Sequence, residues 1–297
     1  WPAKWKVVGV SIEGAGKDHS TKGGARDVAN HIAREVFDIE PPFDVPYEFF
    51  LVGGKKMSSS KGMGTSAIEI AKLLPTKMFR LALLGKDINQ QINFDPEGDT
   101  VPILFDTYDR LALGYFKKTE DDYSRLFSLV HQKEERETLV AHFLPRFSQV
   151  AFLVQMPHVV LAAELERLKT APLTKEDNEE LELRSETARF WLETYAPEDF
   201  KYEIQKALPD VVKDFTPVQK KSLQLVTKLL KTKEKFDGQE LHSALHELRK
   251  ENNIEAKDFF GPMYLSLLGK AEGPKAGWFL SVLNHDFLLK RFEEASR

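Results

Sequence analysis

Eight consecutive residues, Lys55 Lys56 Met57 Ser58 Ser59 Ser60 Lys61 Gly62, combine three ammonium groups, three hydroxyls and a glycine. Lysines supply mobile positive charge, serines supply hydrogen bonds, and glycines beside them let the backbone close on an anion and move as the anion changes shape. That chemistry suits a polyphosphate. By composition alone such a cluster is more often a solvated turn, so its place in the chain decides. It follows the apolar run Phe49 Phe50 Leu51 Val52 and the pair Gly53 Gly54, and it precedes an apolar helical pattern. It therefore reads as a loop between a strand and a helix. A second polar stretch, residues 14–24, contains four glycines together with Lys17, Asp18, His19, Ser20 and Thr21. Neither the P-loop pattern nor the Gly-x-Gly-x-x-Gly fingerprint fits it. Its Asp18 carboxylate suits the vicinal hydroxyls of a ribose, and it equally suits a capping role on nearby backbone.

The elements that would carry these loops alternate. Residues 7–10 are a short apolar strand candidate, and a helix is expected over 25–36, where Ala25, Val28, Ala29, Ile32, Ala33 and Val36 recur at intervals of 3 and 4. Residues 38–46 hold three prolines and read as a loop, followed by a strand over 47–52 and a helix containing Ile68, Ala71 and Leu74. Strand, helix, strand, helix is the order of a doubly wound sheet, and a glycine-rich turn entering a helix at a strand end is where such sheets collect anions. Two strands make no stable parallel sheet alone, so the first half of this domain is expected upstream of Trp1. Beyond residue 75 the chain becomes helical. A short helix over 75–84 and an irregular segment over 89–102 lead to helices expected over 159–168, 175–195, 200–208, 217–230, 238–251, 255–268, 274–283 and 285–295. The acid-rich run 176–182 reads as a solvated helix start.

Bulk composition narrows the function classes. At 297 residues, 42% hydrophobic and 30% charged, the chain has the makeup of a globular protein of one or two domains. With no cysteine it has neither disulfides nor a thiolate metal site. A net charge of −4 argues against non-specific coating of DNA and leaves room for a local grip on one RNA. No apolar run is long enough for a membrane span and no signal segment is visible, so no membrane partner and a cytoplasmic location are expected. His242 and His246 are four apart on one helix, but with no third ligand nearby they read as ordinary surface residues and no metal site is expected.

Taken jointly, Trp1 Pro2 Ala3 Lys4 Trp5, Gly16 Lys17 Asp18 His19, Gly23 Gly24 Ala25 Arg26 Asp27, Pro41 Pro42, Tyr47 Glu48 and Lys56 Met57 Ser58 Ser59 Ser60 Lys61 Gly62 stand in an order and spacing that resembles the class I lysyl-tRNA synthetases. A looser likeness runs to the end, through Phe259 Phe260, Tyr264, Leu267 Leu268 Gly269 Lys270 and Gly273 Pro274 Lys275 Ala276 Gly277. The resemblance implies an α/β then all-α chain. The expected parts are the end of a Rossmann-type catalytic domain over 1–75, a connecting segment over 76–110, and an all-helical anticodon-binding cage over 111–297.

The resemblance further implies a lysine–tRNA ligase that uses ATP with Mg2+ to activate lysine and transfers it to tRNA(Lys), and that acts as a monomer. Lys56 and Lys61 would be catalytic, holding the leaving phosphates together with Met57, Ser58, Ser59 and Ser60, while Gly16 and Asp18 would face adenosine and ribose. Trp1, Trp5, His19 and Tyr47 would form the wall and polar contacts of the amino-acid pocket, and Lys270, Lys275 and Trp278 would touch tRNA. Two departures stand out. The general class I loop has lysine where this chain has Ser59, with the charge following at Lys61, and the His-Ile-Gly-His element of the class is absent. A C-terminal portion that does not catalyse alone is therefore expected. Another class I synthetase, such as one for glutamate or methionine, and a non-catalytic tRNA-binding protein retaining the loop are the alternatives.

Overall fold

A computed structural model describes residues 1–56, 67–119, 121–156 and 159–297, and the side chains of all of these except Lys55, Lys56 and Ala67. Two compact units divide at residue 141: Trp1–Ala141 and His142–Arg297. The first is a small α/β body with helices after it, and the second is mostly helical.

The first unit opens with α1 (Pro2–Val8). A strand was the expectation for residues 7–10, but Val7 and Val8 are helical and exposed. Proline at the helix start and Gly9 in the left-handed region at its end (φ 71°) set both boundaries and override the short apolar run. Strand β1 (Ile12–Gly16) runs instead through the glycine-rich stretch and is followed by α2 (Ala25–Glu35). In α2 the buried positions are Arg26, Ala29 and Ala33, which pack on Trp5, while Val28, Ile32 and Val36 face outward.

Strand β2 (Phe43–Tyr47) includes Pro46, where a loop was expected, and pairs parallel with β1 from Ile12↔Phe43 to Gly16↔Tyr47. Proline is tolerated because this sheet has two strands, so the missing N–H faces no further partner. The chain then leaves for a second sheet, β3 (Phe50–Val52), β4 (Lys55–Lys56) and β5 (Ile92–Phe94), in the order β4-β3-β5. The expected continuous strand over 47–52 is thus two strands in two sheets. Gly53 (φ 54°) and Gly54 (φ 74°) make the tight turn between β3 and β4, a left-handed pair that favours glycine at both positions. Helices α3 (Ala67–Leu73), α4 (Thr76–Leu84), α5 (Thr100–Phe116), α6 (Asp122–Val130) and α7 (Lys133–Arg136) complete the unit. Met78, Leu81, Phe105, Tyr108, Leu111 and Phe127 are buried there.

The second unit comprises α8 (Phe147–Leu153), α9 (Leu161–Lys169), α10 (Lys175–Thr194), α11 (Pro217–Leu230), α12 (Gly238–Glu251), α13 (Ala256–Leu268), α14 (Ala276–Ser281) and α15 (His285–Ala295) around one apolar core. The expected helix over 200–208 is not formed. Its backbone groups find tertiary partners instead: the Gln155 amide donates to the Phe200 carbonyl (3.0 Å) and accepts from the Tyr202 N–H (2.7 Å), and the Gln205 N–H donates to the Leu267 carbonyl (2.8 Å). The buried Arg291 guanidinium donates to the carbonyls of Gln205 (2.7 Å), Lys206 (3.0 Å), Ala207 (3.1 Å) and Ser266 (2.8 Å). A segment so held has no need of helical bonds.

The acid-rich start of α10 also departs from a solvated face, because Asp177 and Glu180 are buried. Glu180 accepts from Arg184 (2.7 Å), whose guanidinium also donates to the Pro145 carbonyl (2.7 Å). Asp177 accepts from the N–H groups of Phe143 (2.6 Å) and Thr174 (2.7 Å) and from the Lys169 ammonium. Burial works to raise the Asp177 carboxyl, but these donors outweigh it and hold it down to about 2, against an ordinary 3.8. The depressed value means its stabilisation is complete above pH 4 and is lost as pH falls through 2. Asp177→Asn should therefore reduce the unfolding free energy by roughly 2 kcal/mol at neutral pH and shrink that difference between pH 4 and pH 2, read by urea titration at each pH.

Helices α12 and α14 approach closely at Gly277. A Cβ on Gly277 would lie 2.3 Å from the His242 nitrogen and 2.5 Å from the Gly238 carbonyl oxygen, both backbone atoms that cannot swing aside. Gly277→Ala should force the helices apart and destabilise the chain by about 3 kcal/mol, measured as a lowered urea midpoint at unchanged slope.

Candidate functional site

The C-terminal ends of β1 and β2 lie side by side, with Gly16 opposite Tyr47 and the Lys17 N–H donating to the Tyr47 carbonyl (3.0 Å). From there the chain folds tightly back on itself. The His19 N–H donates to the Gly16 carbonyl (2.8 Å), the Ser20 N–H to Lys17 (3.1 Å), the Gly24 N–H to Thr21 (2.8 Å), and the Arg26 N–H, in the first turn of α2, to the His19 carbonyl (2.9 Å). Gly23 has φ 75°, and a Cβ on Gly24 would sit 2.7 Å from the His19 carbonyl oxygen, so the fold of this loop requires glycine at both positions. Asp18 is exposed on the loop.

An aromatic group stands beside it. The rings of Trp1 and Trp5 have centroids 6.3 Å apart, and Trp1 meets His19 edge-on at 5.8 Å. Tyr47 lies across Gly14, whose absent side chain leaves the ring about a van der Waals contact away. Four residues expected to line an amino-acid pocket thus gather at one strand end: Trp1, Trp5 and His19 in ring contact, and Tyr47 joined to them through the β1–β2 register. Trp5 itself is buried, so Trp1, His19 and Tyr47 are the members that present surface.

Beneath this group lies a charged cluster that the sequence did not announce. Arg26 is buried to 1% exposure, with its guanidinium over the Trp5 ring at 4.5 Å. It donates to Glu13 (3.2 Å), to Asn30 (3.2 Å) and to the Pro42 carbonyl (2.5 Å), and Asp44 stands 3.8 Å away. Glu13 also accepts from the Trp5 indole (2.6 Å). One cation thereby joins α1, β1, α2 and the entry to β2. The signal available in sequence was an Arg on the otherwise small and apolar inner stripe of α2, with no indication of its partners. Glu48 is the other residue missed. It accepts from the Lys17 ammonium (2.8 Å), a bond that is the main cause of its lowered carboxyl pKa. Lys17 is thus paired with Glu48 and lies 5.3 Å from the Phe49 ring.

Of the basic loop, only the backbone of Lys55 and Lys56 is described, paired with Val52 and Leu51 in β4. Met57, Ser58, Ser59, Ser60 and Lys61 lie outside the described residues.

In the second unit Lys275 is exposed at the start of α14, with its ammonium 5.4 Å from the Trp278 ring. Trp278 is half-buried against His242 (5.4 Å), which in turn meets His246 (4.5 Å), and burial lowers the pKa of both imidazoles, His242 being lowered further by Lys275. Among the described residues these histidines have no third ligand within reach of a metal. Lys270 sits elsewhere: its ammonium donates to the carbonyls of Glu198 (2.6 Å) and Lys201 (2.9 Å), which uses two of its three N–H donors.

Residues 1–135 match the family of tRNA synthetases class I (K), and residues 125–296 match the anticodon binding domain. The chain is 31% identical to lysine–tRNA ligase 1 of Methanosarcina acetivorans, covering 100% of this chain and 58% of that protein. It is 33% identical to the lysine–tRNA ligase of Pyrococcus furiosus, over 98% of this chain and 57% of the relative. A lysine–tRNA ligase of Archaeoglobus fulgidus is 31% identical over 99% and 57%. The chain thus spans less than two thirds of the length of these relatives.

Arg26→Ala would leave Glu13 only the Trp5 indole and the Lys4 ammonium and would free the Pro42 carbonyl at one stroke. Loss of about 3 kcal/mol from the first unit is the expected result, with Arg26→Lys recovering only part because an ammonium lacks the planar fork. Urea unfolding with protection of the α2 amides from hydrogen exchange reads the change.

Proposed function

The chain belongs to the lysine-type class I tRNA synthetases, and from that membership we propose that the whole protein is a lysine–tRNA ligase, which activates lysine with ATP and transfers it to tRNA(Lys). The observation that carries this reading is the aromatic strand end formed by Trp1, His19 and Tyr47 beside the Gly16–Asp18 turn, in one small body with the hairpin that leads into the Lys-Met-Ser-Ser-Ser-Lys-Gly run.

In this reading Gly16 lets the backbone approach adenosine, and the exposed Asp18 carboxylate accepts from ribose hydroxyls. Aromatic faces at Trp1 and Tyr47 cover the aliphatic stem of lysine, and the His19 imidazole supplies a polar contact. Attack of the lysine carboxylate on the α-phosphate displaces pyrophosphate, and the charge that develops on the leaving phosphates is met by Lys56 and Lys61 with the hydroxyls of Ser58, Ser59 and Ser60. Magnesium enters with ATP as the substrate complex. Residues 1–75 carry this chemistry, 76–110 connect, and 111–297 grip the tRNA through Lys275 and Trp278. Lys270 holds the 198–201 turn in register behind them. The protein works as a cytoplasmic monomer.

Lysine-dependent exchange of pyrophosphate into ATP by the full-length protein tests the assignment. Lys61→Ala should reduce the exchange rate by about two orders of magnitude while lysine binding changes little, because the lost contact develops in the transition state. Exchange that responds to glutamate and not to lysine would overturn the substrate, an unchanged rate in the variant would remove Lys61 from the leaving phosphates, and no amino-acid-dependent exchange by the full-length protein would leave a tRNA-binding role only.

A further inference from the structure

Lys17 stands between Gly16 and Asp18, and it is tied to the end of β2 twice. Its N–H donates to the Tyr47 carbonyl (3.0 Å), one rung beyond the β1–β2 ladder, and its ammonium donates to the Glu48 carboxylate (2.8 Å). Glu48 is anchored in turn to chain of the second sheet. Its N–H donates to the Ile88 carbonyl (2.9 Å), and the adjoining Phe49 carbonyl accepts from the Ile92 N–H (3.2 Å), where β5 starts beside β3. The pair thus joins the turn after β1 to the segment that enters the second sheet.

Stability does not account for this pair. The Lys17 side chain is 43% exposed and that of Glu48 19%, and an ion pair so open to water contributes little once the ordering of two side chains is counted. Glu48 stays ionised at neutral pH, because the Lys17 bond is the main cause that lowers its carboxyl. What the pair supplies is geometry. The turn that follows is short: the His19 N–H closes on the Gly16 carbonyl (2.8 Å) and the Thr21 hydroxyl donates to the Asp18 carbonyl (3.1 Å). Fixing Lys17 by both its backbone and its side chain therefore sets the direction in which the next residue, Asp18, leaves the turn.

Resting on the ATP reading of this strand end, we propose that Glu48 is a positioning residue for the nucleotide: through the Lys17 ammonium it holds the 16–19 turn against the second sheet and so aims the Asp18 carboxylate at the ribose hydroxyls of ATP. A carboxylate aimed in advance leaves less ordering to be done when the nucleotide arrives. Its bond to ribose is made in the bound ground state as much as in the transition state, so its loss appears in KM and not in kcat.

The test is lysine-dependent pyrophosphate exchange by the full-length protein, with ATP, 2′-deoxyATP or 3′-deoxyATP as the nucleotide. Wild type should prefer ATP about tenfold in kcat/KM over the analogue that lacks the hydroxyl bound by Asp18. Glu48→Gln and Lys17→Met should each raise KM for ATP about fivefold and reduce that preference to about twofold, with kcat, KM for lysine and the urea midpoint unchanged. The double variant should lose no more than either single one, and exchanging the charges, Lys17→Glu with Glu48→Lys, should restore most of the preference. If Glu48→Gln keeps the wild-type KM and preference, the positioning role falls while the synthetase reading stands. A loss in Lys17→Met that Glu48→Gln does not share makes Lys17 a direct contact of ATP and overturns the proposal, and a urea midpoint lowered in both makes the pair a brace of the fold and overturns it too. Wild type that uses all three nucleotides equally removes Asp18 from the ribose and this role with it. Absence of lysine-dependent exchange in wild type overturns the synthetase reading itself.

Discussion

A single buried guanidinium ties together the elements at the start of the first unit. Arg26 is desolvated among Trp5, Glu13, Asn30, the Pro42 carbonyl and Asp44, and such a charge is tolerable only when its donors are met. Those partners come from α1, β1, α2 and the segment entering β2, so satisfying one cation brings four pieces of chain into register. The position of everything at the strand end follows. Trp5 is held by its indole bond to Glu13 and by the cation over its face; Trp1 rests on Trp5; His19 meets Trp1 through its ring and the Arg26 backbone through its carbonyl. A family of exposed aromatic groups is thereby fixed by a group that touches none of their outward faces.

Backbone carbonyls play the same part in the second unit. Arg291 is met by four of them, Arg184 by Pro145 as well as Glu180, and Lys270 by two. Each cation ties a length of irregular chain to a helix, which is how the 201–208 segment stays ordered without forming one. Phe200 and Tyr202 lie where they do because Gln155 takes up their backbone groups and Lys270 those of Glu198 and Lys201 beside them. Close approach supplies the other half of the construction. Gly238 and Gly277 let α12 and α14 nearly touch, and that contact sets the seat of Trp278.

Local signals were legible wherever they were strong and self-contained. The helices from α10 to α15 follow apolar periodicity with recognisable caps: Thr174 with Asp177, Thr216 with Gln219 and Asp237 with Glu240 each form a reciprocal capping box. Strand and loop assignments near the candidate site were harder. Residues 7–10 are apolar but belong to α1 and its cap, residues 12–16 are glycine-rich yet form β1, and Pro46 sits inside β2. Edge pairing in a two-stranded sheet tolerates both glycine and proline, so the residue types that usually mark loops carried little information there.

By itself the sequence determined which residues could do chemistry and in what order: lysines and serines after a glycine turn, an aspartate in a tight loop, aromatic groups at the start, and a long helical remainder. Those properties are local, because side-chain chemistry and helix periodicity are written in neighbouring residues. Only the tertiary structure decided which charges are spent on the fold and which remain for a ligand. Lys270 reads as a tRNA contact in the sequence, and the fold sets its ammonium on carbonyls 69 and 72 positions away, while Lys17 is paired with Glu48. Asp177 looks solvated and is buried among three donors. The partner of a charge is settled by what the fold brings within about 3 Å of it, a distance that sequence spacing does not encode.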